Sequence, residues 1–308
     1  MAIQSVFVIS DQTSALAELC GGMKPLAASV TAVMFGDEAL AKEAASCGAD
    51  KLIYCPVSAD GAPEDYAKAI AAEVKKVSGA FVVLHNSIRG RCLAGKLGVY
   101  LDCAVLTTVS ELTAEGDGVV CHRMVYGGTA QSSVAFTTPY AVITMNGGVF
   151  GDVAALPATT DITAISGGPE GTLKRVARNE KTETAVNLAV AKRIVDVGRG
   201  LAAEEDLEMM RKLASTLEAE VGCSRPVAEN NKWLPKAVYM GVTGVQVKPE
   251  LCMSIGVSGQ VQHIAGINKS RVIVAINKDK DAPIFKNADF GVVGDLYKVV
   301  PALIEKLS

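Results

Sequence analysis

The chain has 308 residues, of which 49% are hydrophobic and 20% charged, with 29 glycines, 11 prolines and a formal net charge of −3. That length suggests two domains, and the scattered Lys and Arg exclude the clustered basic face of a nucleic-acid binder. No apolar run approaches the ~20 residues of a membrane span. The opening MAIQSVFVISD lacks the basic region of a signal peptide, so the expected compartment is the cytoplasm. None of the eight cysteines forms a C-x-x-C pair or a zinc-spaced Cys/His set. A chain with this apolar fraction needs no disulfide staples. Reduced thiols and no metal centre are expected.

In chain order, 5–10 (SVFVIS) reads as a buried strand, 15–26 as a helix and 29–35 as a second strand. Asp37 can cap the next helix, and Gly48 sits where its C′ residue belongs. A strand at 51–55, a helix at 63–77 opening on Pro63, a strand at 81–85 and a helix at 89–100 follow. Strands alternating with helices of this length predict βαβ units, a parallel sheet and helices on both faces: a three-layer α/β sandwich. From Ala104 to Met145 the pattern changes to several strands with turns at 115–118 and at Gly127-Gly128, which predicts an antiparallel extension.

Residues 147–173, rich in Gly, Pro, Thr and Asp, read as loop or linker, and strands resume at 181–191 and 193–197. A second domain is placed from there, giving domains 1–190 and 191–308. Its first helix is expected over 204–221, with acids in the first turn and Leu207, Met210, Leu213, Leu217 and Val221 on one face. A final helix is expected over 296–307, kinked or restarted at Pro301.

The chemistry is concentrated in the second domain, where apolar runs end repeatedly in glycines and short polar residues. Ser224 and Arg225 follow Cys223, Thr243 stands between Gly241 and Gly244, and Ser258, Gly259, Gln262 and His263 follow the run at 252–257. Arg199 lies in a glycine turn, Asn277 ends the run at 272–276, and Asp295 follows Gly294. Ligands of parallel sheets bind at the carboxyl ends of strands, and hydroxyls with backbone N–H groups suit a pyrophosphate. Ser224, Ser258 and Asp295 equally have the form of helix caps, Arg199 and Arg225 of solvated surface charges, and His263 of a structural hydrogen-bonded residue. No GxSxG elbow, HExxH or carboxylate pair beside a His occurs. Covalent and metal mechanisms therefore have no support, and any redox chemistry would be carried by a bound cofactor.

VGCSRPV, MGVTG, PELCMSIGVSGQVQHIAGI and VIVAINKDKDAPIFKNADFGVVGDLYKVVPAL, in this order and spacing, resemble the α subunit of electron transfer flavoproteins. The wording CSRPVAE and MGVTG is most similar to the FixB-like branch. The similarity runs from about Arg199 to the end, while 1–190 fit the family's N-terminal α/β domain in length and rhythm.

The resemblance implies a C-terminal doubly wound parallel α/β domain that binds FAD, a β-subunit partner, and electron transport between a dehydrogenase of the acyl-CoA dehydrogenase type and a quinone- or ferredoxin-linked acceptor. Such a chain is an electron carrier and not an enzyme in its own right, and bifurcating complexes occur in the family. Carried over residue by residue, FAD contacts fall on Arg199, Ser224, Arg225, Thr243, Ser258, Gly259, Gln260, Val261, Gln262, His263, Asn277, Asp295 and Leu296. Arg225 and Thr243 match the groups near the flavin N5, and His263 matches the histidine near the pyrimidine end, where negative charge gathers on reduction.

The chain departs from the family pattern at Val242, where Gln is common, and at Val245, where Lys is frequent. The alternative function is a nucleotide-binding regulatory module that keeps the fold without electron transfer.

Overall fold

A computed structural model describes residues 3–58, 61–115, 118–151, 156–171, 176–177 and 186–307. They form two compact units, one of Met1–Val125 with Gln131–Asn179, the other of Tyr126–Ala130 with Glu180–Ser308.

The first unit runs β1 (Ile3–Ser10), α1 (Thr13–Met23), β2 (Ala27–Phe35), α2 (Glu38–Glu43), β3 (Lys51–Cys55), α3 (Ala67–Val74), β4 (Ala80–His85) and α4 (Ile88–Leu101). It continues through β5 (Val105–Val109), β6 (Glu111–Glu115), β7 (Gly118–Val125), β8 (Ala130–Ala135), β9 (Tyr140–Met145) and β10 (Ile162–Ala164). Seven strands make one sheet in the order β10-β3-β2-β1-β4-β9-β5, with every pair parallel. Side chains alternate across β1. Val6 and Val8 pack with Leu16, Leu19 and Met23 of α1, whereas Phe7 and Ile9 pack with Ile70 of α3 and Leu93 and Leu97 of α4. A strand covered on both faces needs an unbroken apolar run, which is what 6–9 supplies. The Asp37 side chain caps α2 by accepting the Leu40 N–H at 2.9 Å.

The antiparallel extension is a three-stranded sheet, β6-β7-β8, with β6 and β7 antiparallel from Glu111↔His122 to Glu115↔Gly118. The flanking strands β5 and β9, read from sequence with that extension, instead join the parallel sheet. The stretch 147–173 is not all loop: β10 adds to the sheet edge through Ile162↔Leu52. Of the strand expected at 181–191, 181–185 lie outside the described residues. Leu188–Val190 is a 3-10 turn, with the Asn187 side chain accepting the Ala189 N–H at 3.2 Å.

The second unit contains β11 (Arg193–Val197), α5 (Leu207–Thr216), β12 (Glu220–Ser224), β13 (Tyr239–Met240), β14 (Leu251–Ile255), α6 (Val261–Ile267), β15 (Ile273–Asn277), β16 (Phe290–Val293) and α7 (Leu296–Leu307). Its six-stranded sheet has the order β13-β12-β11-β14-β15-β16 and is parallel throughout.

Helix α5 stops five residues before the expected Val221. Glu218 takes a left-handed φ of 50°, the Arg193 Nη1 donates to the Leu217 carbonyl at 2.8 Å, and Val221 turns into β12 beside Val195. Helix α7 runs continuously past Pro301. All eight cysteines are free thiols. No helix among the described residues is long and apolar enough to cross a membrane.

Candidate functional site

In the second sheet β11 continues to β12 on one side, while β14 lies on the other. The chain therefore reverses its direction of progress between β11 and β14, and a crevice is expected outside their carboxyl ends. Two turns meet there. The Gly198 N–H donates to the Ile255 carbonyl at 2.9 Å and the Gly200 N–H to the Gly256 carbonyl at 3.0 Å. A Cβ on Gly198 would fall 2.2 Å from the Gly256 oxygen, and Gly256 itself has a φ of +64°. Only residues without a Cβ allow this approach.

A cavity of about 840 Å³ opens at these strand ends, toward the upper end of the roughly 300–1,000 Å³ usual for ligand sites. Arg199 reaches it from the turn after β11, Ser224 and Arg225 from the end of β12, and Thr243 from the turn after β13. Ser258, Gln260, Gln262 and His263 line it from the turn after β14 and the start of α6, and Asn277 from the end of β15. Gly259, Val261, Asp295 and Leu296 are not among its walls. Gly259 has a φ of +83° and backs onto the Ile284 backbone. Val261 approaches Gly127, in the segment Tyr126–Ala130 of the same unit. Asp295 accepts the Tyr297 N–H at 3.0 Å as a cap of α7. Leu296 is buried close to the Gly256 turn.

The walls are held by their own hydrogen bonds. The Arg225 Nε donates to Glu229 Oε2 at 2.6 Å, with the Arg225 side chain 61% exposed. That bond, helped by Lys236 at 3.6 Å from the same carboxylate, holds the Glu229 carboxyl below its usual range. The Tyr239 hydroxyl donates to the Thr243 carbonyl at 2.6 Å and lies 3.2 Å from its Oγ1. Asn277 Nδ2 donates to the Val257 carbonyl at 2.8 Å and its Oδ1 accepts the Asp279 N–H at 3.0 Å, tying the turns after β14 and β15 together. The Val242 N–H donates to the Gln262 carbonyl at 2.9 Å, so the one backbone donor at that position is already engaged.

His263 is buried in the cavity wall, with Nε2 2.7 Å from Asp196 Oδ2 and Nδ1 3.2 Å from the Met240 carbonyl oxygen. Burial of the ring opposes its charged form. The Asp196 charge and hydrogen bond, with the Met240 carbonyl, outweigh that and raise its pKa above the ordinary value.

The sequence reading missed Asp196 and the hydroxyl beside it, Ser254, which donates to the same Oδ2 at 2.8 Å. Each is a lone polar residue inside an apolar strand, Ile194-Val195-Asp196-Val197 and Cys252-Met253-Ser254-Ile255. That was the available signal. The arrangement offers short side-chain donors, and an imidazole whose protonated form Asp196 favours, to a ligand that carries or develops negative charge.

The family model described as "Electron transfer flavoprotein FAD-binding domain" matches residues 187–268, and the one described as "Electron transfer flavoprotein domain" matches residues 17–166. The chain is 41% identical to the "Putative electron transfer flavoprotein subunit YdiR" of Escherichia coli K12, over 99% of both chains. The chain belongs to the electron transfer flavoprotein α-subunit family, in its FixB-like branch. It is 39% identical to the Protein FixB of Salmonella typhi over 99% of this chain and 98% of that one. It is also 39% identical to the Protein FixB of Escherichia coli O6:K15:H31 over 98% of both. Within the family's FAD-binding match, 187–268, fall the Gly198–Gly200 and Gly256 turns, Asp196 and His263. Asn277 and the cap Asp295 lie beyond it.

Proposed function

We propose that the cavity at the ends of β11, β12, β14 and β15 holds FAD, and that this chain is the flavin-carrying subunit of a heterodimer with an electron transfer flavoprotein β subunit. The observation that carries the reading is the convergence of Arg199, Ser224, Arg225, Thr243, Ser258, Gln260, Gln262, His263 and Asn277 on one cavity at the strand-order reversal. The residues fit the group. The Gly198–Gly256 approach packs the turns after β11 and β14 together at the cavity edge, outside the strand ends where a pyrophosphate would sit. Ser224 and Ser258 supply hydroxyls there, and Arg225 and His263 supply positive charge toward the ring. Gly259, Val261, Asp295 and Leu296 serve it indirectly, by shaping the turns that carry the walls. Bound FAD would supply the one- and two-electron chemistry. The chain's own work is to bind and orient it and to set the charge around it.

In this reading electrons arrive from a dehydrogenase of the acyl-CoA dehydrogenase type and leave to a quinone- or ferredoxin-linked acceptor. The test is co-expression with a β partner. The purified complex should show flavin absorbance, with reduction by a donor dehydrogenase and reoxidation by an acceptor. A heterodimer that takes up no flavin at any loading overturns the reading. Flavin that binds but is never reoxidised by an acceptor leaves the regulatory alternative in its place.

A further inference from the structure

Asp196 does not line the cavity, yet the site is built around it. It is fully buried in β11. Its Oδ2 accepts from His263 Nε2 and the Ser254 hydroxyl, while Oδ1 has no hydrogen-bond partner among the described residues. A carboxylate in such a place is costly unless a positive charge and hydrogen bonds compensate. The elements packed on it offer few candidates. Cys223 of β12 and Cys252 of β14 stay protonated: burial first, then the Asp196 charge, pushes Cys223 up to about 12 and Cys252 higher still. Ser254 is neutral, and from β13 the Met240 carbonyl meets the His263 ring while the Tyr239 hydroxyl is bonded to Thr243. Among the described ion pairs, His263 is the cation that Asp196 has.

The imidazole is equally constrained. Both ring nitrogens face oxygens that cannot donate, a carboxylate and a carbonyl. A neutral ring carries one N–H and would set a lone pair against one of them. A proton on each nitrogen satisfies both. His263 lines the cavity and Asp196 does not, so the positive end of the pair faces the ligand. With both N–H groups engaged by protein, neither is left for a third acceptor.

We propose that Asp196 is the positioning residue that fixes His263 as an imidazolium in the cavity wall, so that His263 acts on a bound flavin through its charge and not by donating a ring N–H. The second half rests on the flavin reading above; the first half does not.

The test is ¹³C and ¹⁵N NMR of the full chain labelled in its histidine rings. There are three histidines, His85, His122 and His263, and His85→Gln and His122→Gln variants assign the signals. In the wild-type chain without flavin, both nitrogens of His263 should carry a proton at pH 7, with a titration midpoint above the usual ~6.5. In Asp196→Asn the counter-charge is lost, burial should outweigh the remaining Met240 carbonyl bond, and the midpoint should fall below ~6.5, roughly a tenfold loss of proton affinity. A wild-type ring that is neutral at pH 7, or a midpoint unmoved by Asp196→Asn, overturns the proposal. If that variant does not fold, the wild-type nitrogen shifts decide by themselves.

FAD is then added with the β partner. Unchanged His263 nitrogen shifts support action through charge, and transfer of the Nε2–H hydrogen bond from Asp196 to the flavin overturns it. A complex without flavin removes the second half together with the flavin reading and leaves the Asp196–His263 pair standing.

Discussion

Asp196 and Ser254 are register partners in the neighbouring parallel strands β11 and β14, and their side chains meet at 2.8 Å with the carboxylate fully buried. In a parallel pair, register partners point to the same face of the sheet, so two polar residues in two apolar runs satisfy each other where either alone would be costly. Ser254→Ala should therefore lower the unfolding free energy by about 1–3 kcal/mol, read from urea denaturation. A larger loss, of about 3–5 kcal/mol, is expected for Asp196→Ala, which leaves His263 without its buried counter-charge.

The pair also sets a pH dependence. The His263 pKa is raised in the folded chain. Its contribution to stability is thus fully present below the unfolded value of ~6.5 and lost as pH rises through the folded value. In Asp196→Asn the sign reverses, because burial now favours the neutral ring and the folded chain gains stability as pH rises. Urea midpoints of wild type and Asp196→Asn measured from pH 5.5 to 8.5 should converge as pH increases. Curves that stay parallel would remove His263 from this role.

These relationships mark where sequence reading stops. The strands and helices of 5–100 were legible because each is a local apolar run with its own cap or turn, as at Asp37 and Leu40. The pairing of β5 and β9 was not. A parallel partner is chosen by long-range crossovers, and Val105–Val109 looks the same in either direction. The three residues of β10 are too short to form a pattern. The site followed the same division. Polar residues at strand ends, such as Ser224, Asn277 and His263, stood out by position. Asp196 is explained only by partners 58 and 67 residues away.

The Gly198 turn should tolerate no side chain. In Gly198→Ala the new Cβ would meet the Gly256 carbonyl oxygen at 2.2 Å, and the contact is backbone, so no rotamer relieves it. A loss of about 1–3 kcal/mol is expected, with reduced flavin retention on gel filtration. Gly95→Ala, where nothing lies within 4 Å, is the control and should lose neither.

Val242 stands where the sequence resemblance leads a glutamine to be expected. The residue is 47% exposed and its N–H is already bonded to the Gln262 carbonyl. Val242→Gln should leave stability within about 0.5 kcal/mol. An added amide donor is worth roughly 0.5–1.5 kcal/mol to a flavin that becomes more negative on reduction. That should raise the measured flavin potential by a few tens of millivolts for a one-electron step. An unchanged potential would show that the side chain at 242 does not reach the ring.

Arg225 tests the charge at the end of the neighbouring strand β12. Its side chain is mostly exposed and paired with Glu229, which also has Lys236 within 3.6 Å. An exposed pair of this kind contributes little to the fold, so Arg225→Ala should fold normally. The flavin should respond far more. A charge on the cavity wall favours the negative charge that gathers on a bound ring when it is reduced, although solvent around this exposed side chain screens part of the effect. Part of that is cancelled in the wild type by Glu229. Arg225→Ala should consequently lower the potential, and Arg225→Ala with Glu229→Gln should recover a portion of the loss. If the double variant matched the single one, Glu229 would not share the cavity's field. If neither moved the potential, Arg225 would be a wall residue without influence on the ring.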